Sequence, residues 1–455
     1  MSSLKVSVSG VRGIVGDSLT PEIILNYSLA FAEFIKQHGS SVAVARDTRE
    51  SGDMIFNIVT GALKSCGINV FDYGILPTPV LIYAVKKNNY AGGVIITASH
   101  NPIEWNALKF VKAPGLFLNQ EDLDSLIENI KTKDITYCNY KNCGSLIKKN
   151  INDNFIHEYV ADLISFFDIE KIGKSGIKAA YDPVNATASY VTPILLKKIG
   201  VEFTAIHDEP EKGFERGTEP TPENLTKLCK TVKKQKLDIG FAHDPDADRL
   251  ALVDNSGAAI GEEYTLALSA FHAYKNRGLN TDMAANLSTS MMSRKIAETS
   301  GQNIIEAKVG EINVTQEMIK NKCKLGGEGN GGVIFPEFNS CRDSFVAIMF
   351  ILELIATEKT SVKQIAENNI PVYEIFKSKI SIQGLDVNNI YEKLKEKFSG
   401  CSFNELDGLK IFTQDYWIHV RPSNTEPVFR IIIESGTKKQ NETLFKSVKD
   451  TIIGK

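Results

Sequence analysis

Val42-Ala43-Val44-Ala45-Arg46-Asp47-Thr48-Arg49-Glu50-Ser51-Gly52, or VAVARDTRESG, decides the architecture. A short apolar run rich in small and β-branched residues reads as a buried strand, and the polar loop after it leads into a segment of helical period. Two further stretches repeat this strand, loop and helix order, IKAAYDPVNATAS (177–189) and MAANLSTSMMS (283–293). Further apolar runs, Ser41 to Ala45, Val94 to Thr97, Gly176 to Tyr181, Leu237 to Ala242 and Met283 to Leu287, alternate with helical segments. Such alternation predicts βαβ units and α/β domains with parallel or mixed sheets. The uneven spacing makes this a weak threefold repeat of one architecture.

A chain of 455 residues exceeds what one core supports, since domains of about 100 to 150 residues are the rule. Boundary signals fall at YCNYKNCGS, at VDNSGAAIGEE and at AENNIPVYE. They divide the chain into α/β domains at 1–151, 152–255 and 256–368 and a smaller α+β domain at 369–455. A net charge of −3 leaves no basic excess for a phosphate backbone, which argues against nucleic acid as the main partner. Seven scattered cysteines without CxxC spacing read as reduced thiols rather than a zinc cluster. Neither a signal peptide nor a membrane span is legible, so the expected location is the cytoplasm, with no membrane partner.

Asp244-Pro245-Asp246-Ala247-Asp248-Arg249 follows the apolar run Leu237 to Ala242. Three crowded carboxylates repel unless a cation sits among them, and all-oxygen ligation suits Mg²⁺ or Ca²⁺. A solvated acidic turn is the plainer reading, because strand exits favour Asp. An EF-hand does not fit, for its glycine and its bidentate glutamate positions hold Arg249 and Asn255. The neighbouring Arg249 suits a further anionic ligand.

Ser99 and His100 lie in GGVIITASHNP (92–102). A serine hydrolase would want a GxSxG elbow or an identifiable base and orienting acid, and neither is present. A structural serine turn before Asn101-Pro102 remains open. The loop GGEGNGG (326–332) surrounds Glu328 and Asn330 with glycines. It fits either a sugar diol held by Glu328 or a plain hairpin turn. In RPSNTEP (421–427), Arg421, Ser423, Asn424 and Thr425 form an anion cup, with Arg430 a possible further donor, or a structural hairpin. No P-loop is present.

TASHNP, DPDADR, GGEGNGG and RPSNTEP, in this order and at these separations, closely resemble the α-D-phosphohexomutase family. SGVRGIVGDSLTPE, ARDTRESG and GILPTPV look like family segments too, so the resemblance covers essentially the whole chain. It implies three similar α/β domains and a smaller fourth around a central cleft, each giving one loop to the active site. It further implies that Ser99 is carried as phosphoserine and that Mg²⁺ is held by the phosphoserine oxygen with Asp244, Asp246 and Asp248. The implied reaction passes the phosphoryl group from Ser99 to a small-molecule sugar phosphate and back, through a hexose 1,6-bisphosphate. Arg12 and Arg249 would face the phosphoryl group, Lys109 would serve as general acid or base, and His100 would shape the serine loop. Glu328 would read sugar hydroxyls, and Arg421, Ser423, Asn424 and Thr425 would hold the other phosphate. The segment KVGE (308–311) resembles another ligand-lining stretch.

The chain departs from the family pattern in places. The common sugar loop reads Gly-Glu-x-Ser-Gly-His, whereas Asn330 and Gly332 stand for the serine and histidine here, and Ala107 replaces a usual glycine. This form resembles archaeal-type and related bacterial members, among which glucosamine, glucose and mannose phosphate activities are mixed. Glucosamine phosphate stands slightly ahead as the expected substrate. A monomer or a homodimer is expected. Two rivals are weaker: a silent sugar-phosphate binder would need no phosphoryl carrier, and an aspartyl phosphatase would need DxDx[TV].

Overall fold

The computed structural model describes residues 4–149, 154–381, 385–423 and 428–454. Their strands form four sheets. The first has eight strands, in the order Lys5–Ser7, Gly10–Ile14, Trp105–Lys112, Gly92–Ile96, Ser41–Arg46, Asn69–Ile75 and Leu146–Lys148, with Leu116–Phe117 paired to Trp105–Lys112. Ser41–Arg46 runs parallel to both its neighbours, while Gly92–Ile96 and Trp105–Lys112 are antiparallel. The second sheet orders Glu202–Ala205, Lys178–Asp182, Ile239–His243 and Leu250–Asp254, and the third orders Ile304–Ala307, Met283–Asn286, Leu325–Glu328, Gly332–Phe335 and Asn339–Arg342. Both mix parallel crossovers with one antiparallel side.

The fourth sheet is antiparallel throughout, with strands Glu374–Ser381, Val428–Ser435, Tyr416–Pro422, Leu409–Phe412 and Ser402–Asn404. Helices Val387–Lys397 and Lys438–Ile453 pack on it over a separate apolar core. The expected runs are present as strands, shifted at their ends by one or two residues. VAVARDTRESG is the strand Ser41–Arg46, a loop and the helix Gly52–Ser65. IKAAYDPVNATAS ends in a short 3₁₀ turn, Thr187–Tyr190, before its helix Thr192–Lys198.

One helix explains why the first three units meet. SFVAIMFILELIATE, the helix Ser344–Glu358, is apolar on nearly all sides, and every residue from Ser344 to Ala356 is buried. A helix without a polar face must be covered all round, and each buried Leu, Ile or Phe contributes about 2 kcal/mol. Its N-cap Asp343 accepts from the Phe345 and Val346 amides, and from the Tyr159 hydroxyl at 2.6 Å. Tyr159 lies on the helix Phe155–Ile164, and its ring meets Tyr83 on Thr78–Lys87 and Phe338 edge to face. One hydrophobic core thus continues from the first unit to the third.

Candidate active site

The strand Gly92–Ile96 ends at a loop in which Ser99 takes a left-handed backbone, φ +50°. Such a conformation is uncommon for a residue with a Cβ and persists only where surroundings impose it. Arg49 imposes it. Its buried guanidinium donates to the carbonyls of Ser99 and Asn101 at 2.7 Å each and of Pro102 at 2.7 Å. Asp47 holds the same guanidinium at 3.0 Å and accepts from Thr97 at 2.6 Å, so the ARDTR loop fixes the serine loop.

The strand Ile239–His243 ends on the aspartate loop, where Ala247 also has a left-handed backbone, φ +57°. This loop is clamped from both sides. Thr78 donates its amide to the Asp246 carbonyl at 2.9 Å and its hydroxyl to the Asp246 carboxylate at 2.6 Å. From the other side the Ser344 hydroxyl donates to the Ala247 carbonyl at 2.7 Å, and the Leu250 amide to Gly331 at 3.0 Å.

The two loops touch. Ser99 Oγ donates to Asp244 Oδ2 at 2.6 Å, and Lys109 Nζ donates to Asp246 at 2.6 Å and to Asp248 at 3.5 Å. Asp244, Asp246 and Asp248 are fully buried, and one carboxylate oxygen from each lies within 4.8 Å of the others. At about 4 Å two like charges cost about 4 kcal/mol at an effective dielectric of ~20. Burial, followed by the charges of Asp248 and Asp246, pushes Asp244 well above the ordinary carboxylate range. Burial pushes Asp246 up as well, but the Lys109 charge with hydrogen bonds from Lys109 and Thr78 overrules it and holds Asp246 low. Lys109 shows the converse: burial lowers it, yet Asp246 and Asp248 raise it above the usual lysine value. It therefore stands protonated, suited to neutralising charge or giving up a proton, and lacks the depressed value a general base would need.

The donor set fits a hard divalent cation. Asp246 Oδ1 and Asp248 Oδ1 are buried and have no hydrogen-bond partner, which is costly unless something charged completes them. Among the described residues this is the one group of three or more acidic, histidine or cysteine ligands that close.

Arg12 donates to Asn101 at 2.6 Å, and burial followed by the Arg249 charge lowers it to about 10. Arg249 Nε lies 3.7 Å from Asp248, and Nη1 3.6 Å from Glu219. His100 Nδ1 is 3.3 Å from Ser99 Oγ, within reach of its neighbour's hydroxyl after all. The charge of Arg249, then burial, then Arg12 press its pKa down to about 2, so the ring is neutral.

GGEGNGG forms a hairpin between Leu325–Glu328 and Gly332–Phe335. Glu328 is buried and its two oxygens accept from its own chain: Asn286 at 2.7 Å, the Gly310 amide at 3.2 Å, Arg342 at 2.6 Å and Asn330 at 3.3 Å. Burial raises Glu328, but the Arg342 charge, then Asn286, bring it below the ordinary range. Reading a sugar diol therefore requires an exchange of partners, the long Asn330 bond first. In KVGE, Glu311 turns inward to Arg342, while Lys308 is exposed.

Arg421 pairs with Asp407 at 3.2 Å, and the Ser423 amide donates to Val428 at 2.8 Å. Asn424 and Thr425 lie outside the described residues. Four residues of the cluster, Asp47, Arg49, Thr78 and Arg342, are not marked as site residues by any sequence pattern. The motif ARDTRESG holds the first two, but an acid and a base two positions apart look like ordinary loop charge until folding buries them.

Known proteins resemble this chain along its length. Family models described as phosphoglucomutase/phosphomannomutase match in four parts: alpha/beta/alpha domain I over residues 3–136, domain II over 157–257, domain III over 261–373 and the C-terminal domain over 369–451. A phosphoglucosamine/phosphogalactosamine mutase of Sulfurisphaera tokodaii is 34% identical over 98% of each chain. A phosphoglucomutase/phosphomannomutase of Thermococcus kodakarensis is 33% identical over 95% of this chain and 94% of its own. A phosphoglucomutase/phosphomannomutase family protein of Burkholderia thailandensis has the same fold, with a TM-score of 0.83 at 23% identity over 98% of each chain. With all four family parts matched in order and full-length relatives above 30% identity, this chain belongs to the phosphoglucomutase/phosphomannomutase family, and is a phosphohexomutase.

Proposed function

We propose that this isomerase interconverts hexose 6-phosphates and hexose 1-phosphates through Ser99, with glucosamine phosphate as its preferred substrate. The observation that carries the reading is the meeting of Ser99 Oγ, Lys109 and the three aspartates in one buried cluster. In each half-reaction the phosphoryl group leaves Ser99 Oγ for a sugar hydroxyl or returns. One P–O bond breaks as another forms, and the hydroxyl's proton ends on the released oxygen. Protonated Lys109 stands beside this exchange as the acid, Arg12 and Arg249 as phosphoryl-facing cations, and His100 as the neutral wall of the serine loop. Asp244, Asp246 and Asp248, with the serine oxygen, would hold Mg²⁺, which when bound supplies charge neutralisation for phosphoryl transfer. Glu328 and Asn330 take the sugar hydroxyls, and Arg421, Ser423, Asn424 and Thr425 the second phosphate of a hexose 1,6-bisphosphate intermediate.

We take 1–151, 152–255, 256–368 and 369–455 as the four domains, a reading supported by the strands of one sheet falling within each range. Seven free thiols favour a reducing compartment, the cytoplasm. The Sulfurisphaera relative's name favours an amino sugar, and the Thermococcus relative's name keeps mannose and glucose phosphates as the second reading. Turnover of glucosamine, glucose, mannose and N-acetylglucosamine 6-phosphates, with catalytic 1,6-bisphosphate, decides. The highest kcat/KM is expected for glucosamine 6-phosphate. A tenfold advantage for mannose or glucose phosphate selects the second reading, and no turnover of any sugar phosphate overturns the class of reaction.

A further inference from the structure

Arg342 is the last residue of the strand Asn339–Arg342, and no motif marks it. Its guanidinium nevertheless meets three acids from three segments. Nη2 donates to Asp248 Oδ2 at 2.5 Å, Nη1 to Glu328 Oε2 at 2.6 Å and Nε to Glu311 Oε2 at 3.1 Å, while its amide donates to Glu311 Oε1 at 2.6 Å. The path of the side chain depends on Gly332. A Cβ there would lie 2.1 Å from Arg342 Cδ and 2.8 Å from Cγ. Any side chain at 332 and the observed course of Arg342 therefore exclude each other. The glycine that departs from the common loop is the opening through which this arginine reaches the aspartates.

We propose that Arg342 is a positioning residue that orients Asp248 for metal binding and ties it to Glu328, and that Gly332 exists to admit it. The proposal rests on the reading of Asp244 to Asp248 as a cation site. With Oδ2 of Asp248 held by the planar guanidinium, the other oxygen, Oδ1, is left buried without a hydrogen-bond partner, with Arg249 Nε 3.7 Å away, and is free to take a cation. A plain structural ion pair would be satisfied by Glu311 alone, which already takes both the Nε and the backbone amide. Through the same fork the sugar loop and the aspartate loop share one charge, so a change in Glu328's partners is felt at Asp248. A lysine's three donors share a single nitrogen and cannot reproduce the spread of the guanidinium fork across these three acids.

Outer partners of ligating carboxylates affect metal affinity by about 10 to 100-fold. The test is Mn²⁺ and Mg²⁺ titration of the full chain, by calorimetry and by the electron-spin signal of free Mn²⁺, without sugar phosphate or turnover. Arg342→Met and Gly332→Ala are expected to bind the cation about 10 to 100-fold more weakly, and Arg342→Lys to recover only part of the loss. A wild-type chain that takes up no divalent cation would sink the metal reading itself. A wild-type chain that binds, beside an Arg342→Met chain that binds within twofold of it or more tightly, overturns the role given to Arg342. Should Arg342→Met fail to fold, Arg342→Lys and Gly332→Ala, which keep the buried charge, replace it: weaker binding supports the role, and binding within twofold of the wild type overturns it.

Discussion

Ser99 and Asp244 are 145 positions apart in sequence, and the hydroxyl of one donates to the carboxylate of the other at 2.6 Å. Two strand ends in two different sheets make this contact, and each closes on a left-handed backbone residue. The proposed phosphoryl carrier and the acidic loop are therefore brought together by packing between sheets.

Replacing Ser99 by alanine removes the proposed carrier. Intact mass of the wild-type chain, charged with 1,6-bisphosphate, should show a shift of about one phosphoryl group that Ser99→Ala lacks. Turnover should fall by roughly 10⁴-fold or more, as when other covalent nucleophiles are removed. Undiminished turnover in Ser99→Ala would falsify the carrier role.

Lys109 neutralises Asp246 and Asp248 from within the core. Lys109→Met leaves the Asp246 charge without its cation, while Asp248 keeps Arg342, at a cost of about 3 to 5 kcal/mol without metal. Added Mg²⁺ should restore more stability to the variant than to the wild type, because the cation takes over the lost charge. Thermal unfolding with and without millimolar Mg²⁺ reads the difference, and equal shifts in both chains would contradict it.

Arg49 and Asp47 form a fully buried pair that holds three carbonyls of the serine loop. Arg49→Lys keeps the charge and loses the fork. A displacement of Ser99 by about 1 Å costs on the order of 100-fold in rate, so kcat should drop while KM for sugar phosphate moves little. A change in KM alone would place Arg49 in binding instead.

His419 joins the third and fourth units. Its Nε2–H donates to the Asp407 carbonyl at 2.6 Å, and its Nδ1 accepts from Ser288 at 2.9 Å. Burial lowers its pKa from 6.5 to about 4. Between these values the unfolded chain binds a proton that the folded chain refuses, so stability from this group is complete above pH 6.5 and is lost as pH falls toward 4. The full effect is about 3 kcal/mol. Denaturant unfolding from pH 4 to 7 should show that slope, and His419→Gln should reduce it by this share, the depressed His100 and His243 supplying the rest.

Much is legible in the chain because strands and their exits are local. VAVARDTRESG, IKAAYDPVNATAS and MAANLSTSMMS each fold as a strand and a polar loop that lead into a helix. The aspartate triad is legible because Asp at alternate positions crowds charge wherever it lies. Arg342 is not, since a lone arginine at a strand end looks solvated until Glu311, Glu328 and Asp248 arrive from elsewhere. Glu328 reads as an open sugar ligand in the sequence, and tertiary contacts fill its lone pairs.

The sequence by itself determined the α/β order, the family and the positions of the chemical groups, because periodicity and motif spacing are properties of neighbours along the chain. Tertiary structure alone decided which charges face one another. It placed Lys109 against Asp246, Arg49 under Ser99 and Arg342 through the space left by Gly332. Coulomb energies and desolvation depend on distance and burial, and both are set by packing between residues far apart in the chain.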